Sequence, residues 1–134
     1  MDKKEKAIEL HDKGYNCCQA VACSFAPDLG YDPSLILKAG EGFGLGMGGM
    51  NGNCGALAGA VMLAGLKNSD GNTDTPMSKR STYKLAKEIY QSFENKTGGT
   101  ICRQLKGVDT GKVLCSCPDC IRAGVETAEE VLGL

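Results

Sequence analysis

From Gly40 to Gly55 the chain carries eight glycines in sixteen residues, a density that predicts a loop of unusual backbone freedom. The segments on either side read as helices. Residues 2–13 set Ala7, Ile8 and Leu10 among charges, a short amphipathic helix stopped at Gly14. Asn16-Cys17 begins a second helix that runs to about Phe25, before Pro27 and Gly30 break it. Asp32-Pro33 opens a third, with Leu35, Ile36 and Ala39 as its apolar face. After the glycine run, Asn53 starts a helix through Leu66 that is crowded with small residues, among them Gly55, Ala56, Gly59 and Ala60. Such residues lower helix propensity but let a neighbouring helix come close. Gly55-x-x-x-Gly59 therefore predicts tight packing in a bundle, since its membrane-dimer meaning needs an apolar 20-mer. Lys67 to Thr75 is polar and reads as a loop. A long helix follows from about Pro76 to Asn95, with Tyr83, Ala86, Ile89, Tyr90 and Phe93 as its buried stripe. Gly98-Gly99 ends it, and Thr100 caps a short helix from Ile101 to Leu105. Residues Gly107 to Cys117 form a loop, and Pro118 opens a last helix that ends near Leu132. No segment alternates with the period of a strand. The expected fold is all-α: a single cysteine-rich helical domain over residues 1–134, an irregular multi-helix bundle with the glycine-rich loop before a central small-residue helix.

Eight cysteines are distributed over this frame: Cys17, Cys18, Cys23, Cys54, Cys102, Cys115, Cys117 and Cys120. Four of them stand at predicted helix starts. Cys17 follows Asn16, Cys54 follows Asn53, Cys102 follows Thr100-Ile101, and Cys120 follows Pro118-Asp119. Asn and Thr are N-cap residues and Pro suits the first helical position, so each of these thiols is expected in a first turn. There the unpaired amides and the helix dipole favour thiolate, the form that attacks disulfides and binds metal. Cys54, expected at the first helical position and open to a cleft through the glycine loop, is the predicted most reactive thiol. Cys18 and Cys23 read as small buried hydrophobes. An alanine at Gly48 or Gly49 should harm the site if the backbone there takes φ > 0.

Other signals weigh less. A formal net charge of −1 offers no electrostatic footprint for nucleic acid. The longest apolar stretch, Ala56 to Leu66, is too short to span a bilayer, and the charged N-terminus has no apolar secretory core. A cytoplasmic location is the expectation, with thiols kept reduced unless catalytic or metal-bound. Gly44-Leu-Gly-Met-Gly-Gly49 matches G-x-G-x-x-G, but a dinucleotide site needs a strand before it and a helix directly after, whereas here a helix-like segment precedes it and no parallel sheet is predicted. His11, the one histidine, lies on a polar helix and is expected to face solvent. A Cys₂His₂ zinc site is therefore impossible, and a protein-ligated metal would need mainly thiolates. The densest group is Cys115-Ser-Cys117-Pro-Asp-Cys120. Its C-x-x-C spacing suits a redox dithiol or half of a zinc or iron–sulfur site. A second such pair is missing, so the metal alternative takes Cys54, Cys102, Cys117 and Cys120 as ligands.

The ordered pieces Gly14-Tyr-Asn-Cys17 with Gln19-Ala20-Val21, Cys54-Gly-Ala-Leu-Ala-Gly59, Cys102-Arg-Gln-Leu105 and Cys120 resemble the C-GCAxxG-C-C family from Gly14 to Leu132. By that resemblance the four signature cysteines carry over to Cys17, Cys54, Cys102 and Cys120, the same four that capping logic selects. Cys18, Cys23, Cys115 and Cys117 lie outside the signature. The resemblance implies a redox-active protein whose thiols perform disulfide exchange or electron transfer, with those four as catalytic residues. A thiol-dependent oxidoreductase is the enzyme class that would follow. The alternative is a binding protein holding an iron–sulfur cluster or zinc. The expected partner is an unidentified redox partner, with a homodimer left open.

Overall fold

The computed structural model describes residues 2–134, and side-chain caps set where several of its helices begin. Asp2 accepts from the Glu5 amide at 2.8 Å and starts α1 (Lys3–Asp12). Asn16 and Gln19 bond each other's backbone amides, both at 2.9 Å, a reciprocal capping box at the head of α2 (Cys17–Phe25). Asp32 and Pro33 open α3 (Pro33–Gly40). Ser116 accepts from the Asp119 amide and starts the last helix, Cys117–Leu132, in whose first turn Pro118 needs no amide partner. Between these lie a central helix α4 (Gly55–Asn68), the long α5 (Lys79–Thr97) and the one-turn α6 (Cys102–Leu105); the last helix is α7. Gly98, at φ +91, terminates α5 in the left-handed conformation that glycine adopts without strain.

These seven helices, and no strand among the described residues, make the all-α fold expected from the sequence. The core sits where α2, α4 and α7 meet, around Val21, Leu57, Leu63, Ile121 and Val125, with Ile89 and Phe93 of α5 laid against it. Small residues make that meeting close. A Cβ on Gly59 would lie 2.7 Å from the Cys18 carbonyl oxygen, and one on Gly124 would lie 2.9 Å from that of Ala56. The Gly55-x-x-x-Gly59 spacing is thus a packing face toward α2. None of the helices among the described residues is long and apolar enough to cross a membrane.

The glycine run is a loop with structure. A 3-10 turn at Glu41–Phe43 leads into a wide, kinked turn over Gly46–Met50. Leu45, Met47 and Met50 hold φ of 53, 64 and 67, which glycine tolerates and these residues do not favour. Gly46 is packed so tightly that a Cβ would stand 2.5 Å from the Cβ of Cys102. The loop then closes on the segment before α6. Asn53 and Ile101 form an isolated antiparallel bridge, the Cys54 amide donates to the Thr100 carbonyl at 2.7 Å, and the Cys102 amide donates to that of Gly52 at 3.0 Å. The segment Gly44–Gly49 has neither a strand before it nor a helix directly after it, so it lacks the setting of a dinucleotide fingerprint.

Several sequence expectations need correction. On α3, Ile36 and Gly40 are buried while Leu35 is 58% exposed and Ala39 faces solvent, because Gly40 is the residue that packs on Cys18 and Gln19. On α5 the inward stripe is Leu85, Ile89, Phe93 and Thr97, in steps of four. Tyr83 is outside, and Tyr90 lies at the edge with its hydroxyl 2.9 Å from the Thr100 hydroxyl. That bond occupies the Thr100 side chain, so Ile101 is the N-cap of α6. The loop before α5 extends to Ser78, where the Asp70 amide donates to the Ser78 hydroxyl and the Met77 amide donates to the Asp70 carboxylate. Finally, α4 begins at Gly55 with Cys54 as its N-cap, since the Asn53 backbone is engaged in the bridge to Ile101.

Candidate thiol site

The N-termini of α2, α4, α6 and α7 face one another, and six of the eight cysteines line the cavity between them. Its volume is about 170 Å³. Cys17 is the first residue of α2, Cys54 the N-cap of α4, and Cys102 the first residue of α6. Cys117 is the first residue of α7 and Cys120 lies one turn further along it. Cys115 stands just outside that helix. The four cysteines selected from the sequence, Cys17, Cys54, Cys102 and Cys120, therefore come together, and Cys115 and Cys117 join them. Cys54, Cys102 and Cys120 are buried; Cys17, Cys115 and Cys117 are half-buried, and no cysteine is in a disulfide.

Within the cavity the thiols shift one another's acidity, Cys17 with Cys117, and Cys120 with both Cys54 and Cys115. The neighbouring Cys17 side chain holds the Cys117 thiol down at about 5 against the opposition of burial. The charge and hydrogen bond of Lys106, and more weakly the charge of His11, act in the same direction. Cys17 is correspondingly pushed far up, by its bond to Cys117 first and by burial second. Burial presses Lys106 down, but the neighbouring Cys117 and Cys102 outweigh it and keep the ammonium charged. Deeper in, the neighbouring Cys120 side chain lowers Cys54 to about 7. The Ala56 and Leu57 amides at the start of α4 add to this lowering, without forming a full capping bond. Cys120 is pushed far up by that same pairing and then by burial. It also donates to the Cys115 carbonyl at 3.7 Å. Burial raises Cys102 and Cys115.

The expectation for Cys54 is therefore met in direction but not in rank. It is an N-cap and buried, and the half-buried Cys117 is the more acidic thiol because Cys17, and after it the Lys106 charge, hold it down. Lys106 was legible in principle, four residues after Cys102 and so on the same face of that turn. His11 is half-buried and lines the cavity, contrary to its expected place in solvent, because the C-terminal end of α1 leads directly into the turn before Cys17. Cys18 and Cys23 lie outside the cavity as buried packing residues. Burial pushes Cys18 up to about 12, and the Cys23 sulfur sits 3.8 Å from the Pro33 carbonyl oxygen.

The four cysteines of the metal alternative, Cys54, Cys102, Cys117 and Cys120, all line the cavity. Among the described residues no three His, Cys, Asp or Glu side chains are placed to hold one ion. What the arrangement can do is thiol chemistry: each couple pairs a sulfur poised as thiolate with a neighbour that keeps its proton.

No curated protein and no solved structure matches the chain. Residues 15–131 match the family model described as "Putative redox-active protein (C_GCAxxG_C_C)". With nearly its whole length matched, and its four signature cysteines gathered at one cavity, the chain belongs to the C_GCAxxG_C_C family.

Proposed function

We propose that the cavity is a thiol–disulfide exchange site in which Cys17, Cys54, Cys102 and Cys120 act together with the neighbouring cysteines. The observation that supports this most is the gathering of six cysteines around one cavity at four helix N-termini, where Cys54 and Cys117 are held down and Cys17 and Cys120 pushed up. Exchange needs a thiolate to attack and a second thiol close by to resolve the mixed disulfide. Packing alone requires neither. Cys102 is buried and protonated, and its amide is tied to the Gly52 carbonyl; its role in this proposal is to wall the cavity beside Lys106. We assign the protein to the cytoplasm, where free thiols are kept reduced between turnovers. Its partner would be a redox protein or a small disulfide.

Reaction of the reduced protein with oxidised glutathione, read by intact mass and thiol counting, tests the proposal. The wild type should lose thiols in pairs as internal disulfides. A C17S/C54S/C102S/C120S variant should stop at glutathione adducts. A wild type that retains all eight thiols, or that only accumulates adducts, overturns it.

A further inference from the structure

We infer that the cavity holds two dithiols acting in sequence: an outer couple, Cys17 and Cys117, exchanges with an external disulfide, and an inner couple, Cys54 and Cys120, then takes up the oxidation. This rests on the exchange activity proposed above and assigns Cys117, which lies outside the family signature, as the catalytic residue of entry.

Access separates the couples. Cys17 and Cys117 are half-buried at the rim, whereas Cys54 and Cys120 are 6% and 2% exposed. An external disulfide can meet a sulfur at the rim and cannot meet one within. Partner choice follows the strongest influence on each acidic thiol, Cys17 on Cys117 and Cys120 on Cys54, with Cys120 also reaching Cys115. The Cys117-Pro-Asp-Cys120 spacing alone would have paired those two; here they share a face of α7 one turn apart while each engages a different helix. Proximity joins the couples. A Cβ on Gly55, next to Cys54, would lie 3.2 Å from the Cβ of Cys17, so the heads of α2 and α4 touch where the sulfurs would meet. Lys106 stands by the outer couple and favours negative charge there.

The exchange balances. The Cys117 thiolate attacks one sulfur of the external disulfide; that bond breaks, a bond to Cys117 forms, and the first external thiolate leaves to take a proton from solvent. Cys17 attacks the Cys117 sulfur and passes its proton to the second external sulfur as it departs. Two electrons have moved from the protein to the external disulfide, and Cys17 is joined to Cys117. The Cys54 thiolate then attacks Cys17, releasing Cys117 as thiolate. Cys120 attacks Cys54 and gives its proton to Cys17. The outer couple is restored, and the two oxidised sulfurs are now Cys54 and Cys120.

Acid-quenched disulfide mapping of the full chain during reaction with oxidised glutathione tests the order. Cys17–Cys117 should appear first and Cys54–Cys120 later. C120S should halt at Cys17–Cys117. C117S and C17S, both at half-buried first helical positions, should form Cys54–Cys120 at least tenfold more slowly than the wild type. If Cys54–Cys120 forms at the wild-type rate in C117S, or if Cys117–Cys120 is the first disulfide, the sequence of two couples is overturned while thiol exchange stands. A wild type with no internal disulfide overturns both.

Discussion

A thiolate at Cys117 depends on neighbours that substitution can remove one at a time. The Cys17 thiol contributes most, Lys106 next and His11 least. Because the Cys117 value is lowered from 9.0 to about 5, the reactive form is present at neutral pH and is lost as pH falls through about 5. Alkylation across pH, read by mass spectrometry, should show Cys117 half-maximal near pH 5 and Cys54 near pH 7, with Cys18 unlabelled throughout. K106M should move the Cys117 midpoint upward by about one unit, the lower end of what an adjacent opposite charge supplies. C17S should move it further, because the donated hydrogen bond is the larger cause. A midpoint unmoved by both variants would mean that the amides of α7 alone hold the charge.

Helices and loops place these sulfurs, and glycines are where the tightness of that placement can be measured. G46A adds a Cβ 2.5 Å from that of Cys102 at a residue with φ +56. Left-handed strain of about 1–2 kcal/mol and overpacking of about 1–3 kcal/mol should both appear in denaturant unfolding. G49A, with open space around it and an ordinary φ, should lie within about 0.5 kcal/mol of the wild type. Equal stability of the two variants would make the loop a passive connection. Gly48, at φ +84, meets the condition read from the sequence and Gly49 does not. The sequence showed that special backbone was needed here but not at which glycines, since φ depends on how the turn packs against α6. Local signals were legible elsewhere: Asn16 with Gln19, Asp32 with Pro33, and Gly98 each mark a helix boundary through bonds within a few residues. What failed was non-local. Asn53 looked like a cap, yet its backbone is claimed by Ile101; Tyr83 fitted the period of α5, yet no element packs over it.

At the scale of the whole molecule, the site is assembled from chain segments that begin at residues 17, 54, 102 and 117, and the core of α2, α4 and α7 brings them together. That explains which part of the site a sequence can reveal. Each cysteine's own turn is written locally, so the four signature positions stand out one by one. Which sulfur faces which is decided by the approach of α2 to α7 across most of the chain, and no spacing records it. The separation has a consequence in polymer terms. A bond between Cys17 and Cys117 would close a ring of roughly a hundred residues, removing from the unfolded chain an entropy equivalent to about 4–5 kcal/mol. Trapped in that state by C120S, the protein should melt roughly 10–20 °C above its reduced form in calorimetry. An unchanged melting temperature would show that native strain cancels the gain. Loss of the fold would in turn make the outer disulfide easier to reduce, so heat and reductant would act on this chain as a single stress.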